Sequence, residues 1–499
     1  MNPLFLYKTL RLLLTITLIL GLLVPLTAQH FTVNSKFEES YALLLNLEFE
    51  KADKLIKELK VEDQSNLASF YLEDLSDFLF IVVSENQVEF EKRKDQRSER
   101  LSQLSKLPNN SPYKLLAIGE VHLHWAFSKM RFGEYLSGAR DINKAFHALE
   151  SNVQKFPDFL PTYKSMGLLH TLIGTVPENY RWATNLMGVD GTIEQGVLEM
   201  ESVIQKSEVK KELQNLRKET LFLLTFLHIN LLNDSEALLK YQQHLQSENG
   251  PLMDFAKASL LKELGKTDDA ILVLESNSTA TKLFPYLNFL LGEMRLSKMD
   301  KNADQSLIEY TKSFQGNSYL KAAYQKLAWH ALLVKNDPAL YKKMMQKIDG
   351  IGNTMLDEDK AAQKESEAGK TPQKSLLKAR LQFDGGYYKN ALATLISSKT
   401  DGFTEEDQLE FMYRLGRIHD RLENHKEAIS YYQLTINTGT ESKRYFAANS
   451  SLMLGLLHER LGNNEKAKQA YQACTGFNNT EYRNSINQKA KAGLIRLSD

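Results

Sequence analysis

Residues 411–437 read FMYRLGRIHDRLENHKEAISYYQLTIN and residues 451–474 read SLMLGLLHERLGNNEKAKQAYQAC, two versions of one pattern. In the first, Gly416 follows Leu415 and stands twelve residues before Ala428, with Tyr432 four residues further on. The second repeats this with Leu454, Gly455, Ala467 and Tyr471, 39 residues later. A third version at 374–395, KSLLKARLQFDGGYYKNALATL, has Ala379 at the glycine place, Ala391 at the small-residue place and Leu395 at the aromatic place. Small residues on two successive helices let them approach closely, and the large residue that follows fills the gap to the next pair. Between the halves lie Glu423-Asn424-His425, Gly462-Asn463-Asn464 and Asp384-Gly385-Gly386, residue types that end a helix in a left-handed turn. The spacing predicts antiparallel helical hairpins.

This pattern resembles the tetratricopeptide repeat, which has leucine then glycine in its first helix and alanine then a large aromatic in its second. The consensus tryptophan is replaced by Ser375, Met412 and Ser451, and the terminal proline is absent. The resemblance implies an all-α solenoid of stacked antiparallel hairpins wound as a right-handed superhelix, each repeat touching mainly its neighbours. Weaker copies extend it toward the N-terminus through Ala258, Gly265 and Ala270, through Leu291, Gly292 and Tyr310, and through Ala328 with a turn at Asn336-Asp337-Pro338. Residues 40–59 read as a short helix pair around Ala52, and single helices are expected over 67–83, 88–104, 112–131 and 135–155. Residues 481–497 fit a helix that caps the last apolar face of the array.

The composition agrees with this. Leucine makes up 80 of 499 residues while glycine contributes only 25 and proline 11, which favours helix. Lys and Arg total 62 against 62 Asp and Glu, so the chain offers no net positive field for nucleic acid. At the N-terminus Lys8 and Arg11 precede a run that is apolar over 12–24 but for Thr15, Thr17 and Gly21, and Ala28 supplies a small residue for cleavage. Residues 1–28 are therefore expected to be a secretory signal peptide, leaving a net charge of −2; the alternative is an uncleaved inner-membrane anchor. No cysteine follows that run to carry a lipid, and Cys474, the only cysteine, has no intrachain disulfide partner.

Residues 29–348 then form the longer helical array and 375–499 the three cleaner repeats with their cap. Between them 349–374 is polar and almost free of large apolar groups, and is expected to be an exposed linker, loop or solvated helix. The first array is interrupted at 174–191, where a Gly174-Thr175-Val176-Pro177 break and a Tyr180-Arg181-Trp182 element precede a helix that resumes near Thr192. Gly196 sits inside that helix, a choice costing about 1 kcal/mol relative to alanine unless something packs against it. Over 156–196 the chain is also similar to a segment of eukaryotic inclusion-body-clearance repeat proteins.

No catalytic constellation is present, and neither a metal nor a cofactor is expected. The Gly-Lys-Thr triplets at Gly265 and Gly369 have Leu260 and Lys364 where a phosphate loop needs glycine. His122 and His124, two residues apart on a helix, point to different sides. His419 and His458 share one repeat position, as packing residues, and Cys474 is a packing thiol. The resemblance implies that first-helix residues line the concave face, which places Arg380, Arg417 and Leu456 in one row and Asp384, Arg421 and Arg460 in another. Arginines in a partly desolvated groove suit carboxylates, with pairing to Asp420 and Glu459 as their alternative fate. Tyr180, Arg181 and Trp182 are the other candidate contact residues. The expected function is a non-enzymatic scaffold of a Gram-negative-type cell envelope, periplasmic or outer-membrane associated. It would bind a protein or peptide partner and no nucleic acid, and touch the membrane only through the signal segment if uncleaved. The alternative is a glycan or small-ligand capture protein.

Overall fold

Six of the described helices start where a side chain satisfies the first free backbone N–H groups. Asn34, Asn86, Thr192, Asn277, Asp337 and Thr404 each accept a hydrogen bond from an N–H two or three residues on. The computed structural model describes residues 28–177, 180–232 and 235–497. The expected signal segment, apart from Ala28, lies outside them. The described residues fall into two units, 28–82 with Asn86–Leu224, and Val83–Glu85 with everything from Thr225 on. Both are helical, and the one β-type pairing among the described residues is an isolated bridge between His30 and Asn66. No described helix is long and apolar enough to cross a membrane.

The first unit holds α1 (Ser35–Leu45), α2 (Phe49–Glu62), α3 (Ala68–Ser84), α4 (Gln87–Lys94), α5 (Arg97–Ser105), α6 (Pro112–Arg131), α7 (Tyr135–Lys155), α8 (Pro161–Gly174), α9 (Arg181–Met187), α10 (Ile193–Ser207) and α11 (Gln214–Leu227). Hairpins pair α1 with α2, α6 with α7 and α8 with α10, and α6 and α7 have the ends the sequence predicts. The single helix expected over 88–104 is two, broken at Asp95-Gln96. Arg93 on α4 bonds Asp77 and Glu89, while on α5 Arg100 pairs with the same Asp77 at 2.6 Å and Arg97 reaches Asp141. Asp141 also accepts from Lys129 at 2.8 Å and lies 3.0 Å from His122 Nδ1. Burial opposes its charge, yet His122, Lys129 and Arg97 outweigh that and hold the carboxyl at about 2.

The tightest approach in this unit is between α8 and α10. A Cβ on Gly167 would sit 2.7 Å from the Gly196 carbonyl oxygen, and one on Gly196 would lie 2.6 Å from the Thr171 backbone nitrogen. Gly196 is thus kept because two helix backbones touch there. The expected interruption holds α9, a seven-residue helix ending in left-handed Gly188.

The second unit opens with a π-helical turn, His228–Leu232, followed by α12 (Ser235–Leu245), α13 (Pro251–Glu263), α14 (Thr267–Glu275), α15 (Ser278–Leu283), α16 (Tyr286–Ser297), α17 (Ala303–Ser313), α18 (Leu320–Leu333), α19 (Pro338–Gln346), α20 (Asp357–Ala368), α21 (Lys374–Asp384), α22 (Tyr388–Ile396), α23 (Glu405–Arg421), α24 (His425–Thr438), α25 (Phe446–Arg460), α26 (Asn464–Thr475) and the cap α27 (Arg483–Arg496). Hairpins pair α13 with α14, α16 with α17, α18 with α19, α21 with α22, α23 with α24 and α25 with α26. The small-to-large logic of the repeats is visible in the packing. A Cβ on Gly416 would meet the Tyr432 ring at 2.8 Å, and one on Gly455 the Tyr471 ring at 2.5 Å. Gly493 of α27 closes on the other side of Tyr471, also at 2.5 Å, so the cap seals the last aromatic. Both ring hydroxyls donate to a carboxylate, Tyr432 to Asp420 at 3.0 Å and Tyr471 to Glu459 at 2.5 Å. Cys474 is buried in the same cluster, where desolvation pushes its thiol up to about 12, the state of a packing group.

The polar segment after residue 348 holds a helix that is solvated over most of its surface, with non-helical chain on either side. Within it α20 docks against α18, burying Asp359 and Ala362. Asp359 accepts from the backbone N–H of Tyr319 at 2.6 Å and of Ala322 at 3.0 Å, capping α18, which has no cap of its own. Glu365 accepts from Gln325 at 2.6 Å and from the Trp329 indole at 2.9 Å. This segment is ordered by charge-assisted hydrogen bonds rather than by apolar area.

Candidate functional site

In the second unit the first helices of successive hairpins touch one another, α16 with α18, α18 with α21, α21 with α23, α23 with α25 and α25 with α27. They form a continuous layer, joined further by a contact between hairpins that are not neighbours. The turns at Gly265 and Gly386 both have positive φ, and a Cβ on Gly386 would lie 2.6 Å from the Gly265 carbonyl oxygen. Beside them Tyr387 donates to Asp268 at 2.9 Å. The expectation that each repeat touches mainly its neighbours therefore has this exception, and its effect is to bring side chains of α13, α16, α18, α21 and α23 into one row.

That row alternates cations with aromatic rings. Lys326 lies 5.3 Å from the Phe289 ring and 5.5 Å from Trp329, and the Arg380 guanidinium is 4.7 Å from Trp329. Arg417 lies 5.0 Å from Phe383 and donates to the Tyr413 hydroxyl at 2.7 Å. Arg421, which is exposed, lies 5.8 Å from Tyr388. Such contacts orient a guanidinium without neutralising it. The acids of the row are fewer. Glu293 pairs with Lys262 at 2.6 Å and Lys326 at 3.2 Å; burial opposes its charge, but the two ammonium groups hold it at about 2. Glu410 is taken by buried Arg414. Asp384 is open to solvent, yet the surrounding protein desolvates it and raises its carboxyl even with Arg380, Arg414, Lys262 and Arg417 nearby.

The sequence-predicted residues thus separate. Arg380, Arg417 and Asp384 come together, and Arg421 lies along α23 from them. Arg460 forms an ion pair with Asp420, the alternative fate considered for it, while Glu459 binds Arg496 and Tyr471 instead of a groove arginine. Tyr180, Arg181 and Trp182 belong to the first unit, where α9 is fastened through the Met187 carbonyl, which accepts from Asn143 at 2.6 Å. There Tyr180 is 58%, Trp182 65% and Leu186 81% exposed. His122 and His124 turn to different carboxylates, Asp141 and Asp74. Among the described residues no cluster of His, Cys, Asp and Glu could hold a metal ion. Lys262, Glu293, Lys326 and Trp329 escape the sequence reading because the copies that carry them are degenerate. Their legible signal is the spacing of ring and cation at three or four residues on one helix, Lys326 to Trp329 and Tyr413 to Arg417.

A family model described as tetratricopeptide repeat matches residues 409–436 and 448–481, the hairpins of α23 to α26. Among solved structures, the chain is similar to the tetratricopeptide-repeat domain of P58(IPK), at 15% identity over 84% of this chain and 97% of that one with a TM-score of 0.22. It is also similar to the Cut9–Hcn1 hetero-tetramer of APC/C, at 10% identity over 91% and 89% with a TM-score of 0.27. A third is yeast Tom70, at 11% over 93% and 96% with a TM-score of 0.24. No curated protein matches the chain.

Proposed function

We propose that this chain, whose residues 409–436 and 448–481 are tetratricopeptide repeats, is a non-enzymatic protein-interaction scaffold that holds an acidic peptide segment of a partner on the first-helix layer of its second unit. The observation that carries this reading is the row itself. Arg380, Arg417 and Arg421 lie beside aromatic rings instead of being spent on ion pairs, with Arg380 and Arg417 near the solvent-open Asp384. A guanidinium beside a ring keeps N–H donors for a carboxylate, and the nearby rings take the apolar side chains between acids.

The test is fluorescence anisotropy with a labelled library of extended acidic peptides, comparing wild type with the triple variant Arg380→Ala, Arg417→Ala, Arg421→Ala. Loss of three charge-assisted contacts is expected to weaken binding by at least about tenfold, and added salt should weaken the wild type progressively. Unchanged affinity in a variant that keeps its helical circular dichroism would reject the groove.

We further propose that the scaffold works in the cell envelope, exported by residues 1–28. The charge-then-apolar order of Lys8, Arg11 and residues 12–24 supports this. The expected mass-spectrometric result is an exported chain beginning at Gln29, and an intact Met1 would contradict it.

A further inference from the structure

The first unit contains a cavity of about 70 Å³, several times what one water needs, whose lining includes Phe31, Phe37, Tyr41, Tyr71 and Tyr113. It is built from distant parts of the chain. The strap before α1 brings Phe31, which stacks on Tyr113 of α6 with ring centres 4.4 Å apart and parallel to within 4°. Phe37 and Tyr41 come from α1, Tyr71 from α3 and Lys164 from α8.

The floor is formed by two buried charged residues, Lys164 and Glu120. Lys164 and Glu120, each 2% exposed, are 3.0 Å apart, and Lys164 also bonds Glu219 at 2.8 Å. Tyr71 and Ser165 both donate to Glu120 at 2.5 Å, and Tyr41 donates to Glu219. Two carboxylates therefore share one ammonium, with Glu219 behind the lining, so that Lys164 and Glu120 balance at the floor. At the rim are two more carboxylates of the lining, Glu38, which accepts from Asn215 at 2.7 Å, and exposed Glu212. Burial and the proximity of Glu212 raise the Glu38 carboxyl above its ordinary value.

From these observations we infer that the cavity is a binding site for an organic ammonium group, carried by a small alkylammonium ligand or by the lysine side chain of a peptide. Faces of aromatic rings attract a cation, and the two rim carboxylates, unmatched by any cation of the lining, select it over a neutral group of the same shape. The aromatic walls take the methyl or methylene groups attached to the nitrogen, which water solvates poorly.

The test is calorimetry on the full chain with choline and its neutral isostere 3,3-dimethylbutan-1-ol, and with N-acetyl-lysine methylamide and its norleucine counterpart. The cation of at least one pair is expected to bind about tenfold more tightly than its neutral partner, the discrimination that a desolvated cation–ring contact supplies. Choline alone identifies a small-molecule site, and the lysine derivative alone a peptide side chain. Glu212→Gln, a rim change at an exposed position, should reduce the preference for charge while leaving the thermal melting of the chain in place. Equal binding of charged and neutral partners, or no heat from either cation, would overturn the inference.

Discussion

Replacing Gly196 by leucine is expected to unfold the α8–α10 hairpin, at a cost of about 3 kcal/mol or more. Intrinsic helix propensity argues the other way, since even alanine at this position should gain about 1 kcal/mol over glycine. Packing decides the sign. A Cβ there would lie 2.6 Å from the Thr171 backbone nitrogen and still closer to the Gly167 carbonyl oxygen, and backbone cannot swing aside as a side chain can. Gly196→Ala is thus destabilising too, by less than leucine. Hydrogen exchange read by mass spectrometry should localise the loss of protection to 161–174 and 193–207, leaving 405–475 protected. An alanine variant as stable as the wild type would mean that α8 and α10 do not approach this closely.

Lys164→Met should cost about 3 to 5 kcal/mol near neutral pH, because it strands Glu120 and Glu219 without their cation. In the wild type, burial raises the Glu120 carboxyl, but Lys164, His124, Ser165 and Tyr71 outweigh it and leave it below its ordinary value. Its contribution is accordingly present above the ordinary glutamate pKa and lost as pH falls through the lowered one. Removing the ammonium reverses this. With its largest opponent gone, desolvation is expected to outweigh His124, Ser165 and Tyr71 and to lift the carboxyl above its unfolded value, so the variant recovers stability as pH falls and Glu120 takes up a proton. The defect measured by urea unfolding at pH 7 should be smaller at pH 5. A defect that is independent of pH would assign the loss to packing alone.

Much of the architecture is legible in three short stretches because a glycine facing a tyrosine leaves a fixed spacing. Gly416 with Tyr432 and Gly455 with Tyr471 are such pairs, although each tyrosine fills the space over the glycine of its own hairpin, a contact the spacing alone does not assign. What stays hidden depends on partners remote in sequence. Helix α20 is polar by composition and still ordered, since Asp359 and Glu365 find donors on α18 some forty residues back. The basic residues around the break between α4 and α5 find their partners, Asp77 and Asp141, on other helices. The candidate groove was half visible. Arg380, Arg417 and Asp384 sit at repeat positions, whereas Lys262 and Glu293 join them only because the turns at Gly265 and Gly386 meet. The cavity beside Lys164 had no sequence signal, as its walls come from the strap before α1 and from α1, α3, α6 and α8 together.

The central claim, that the first-helix layer of the second unit is the peptide-binding face, is tested most directly by site-specific photocrosslinking. A benzophenone side chain would be placed either at Leu456, on a first helix, or at Leu434, exposed on the second helix α24. Illumination with a bound acidic peptide should crosslink it at Leu456 and leave Leu434 unlabelled. Labelling at Leu434 with none at Leu456 would contradict the claim.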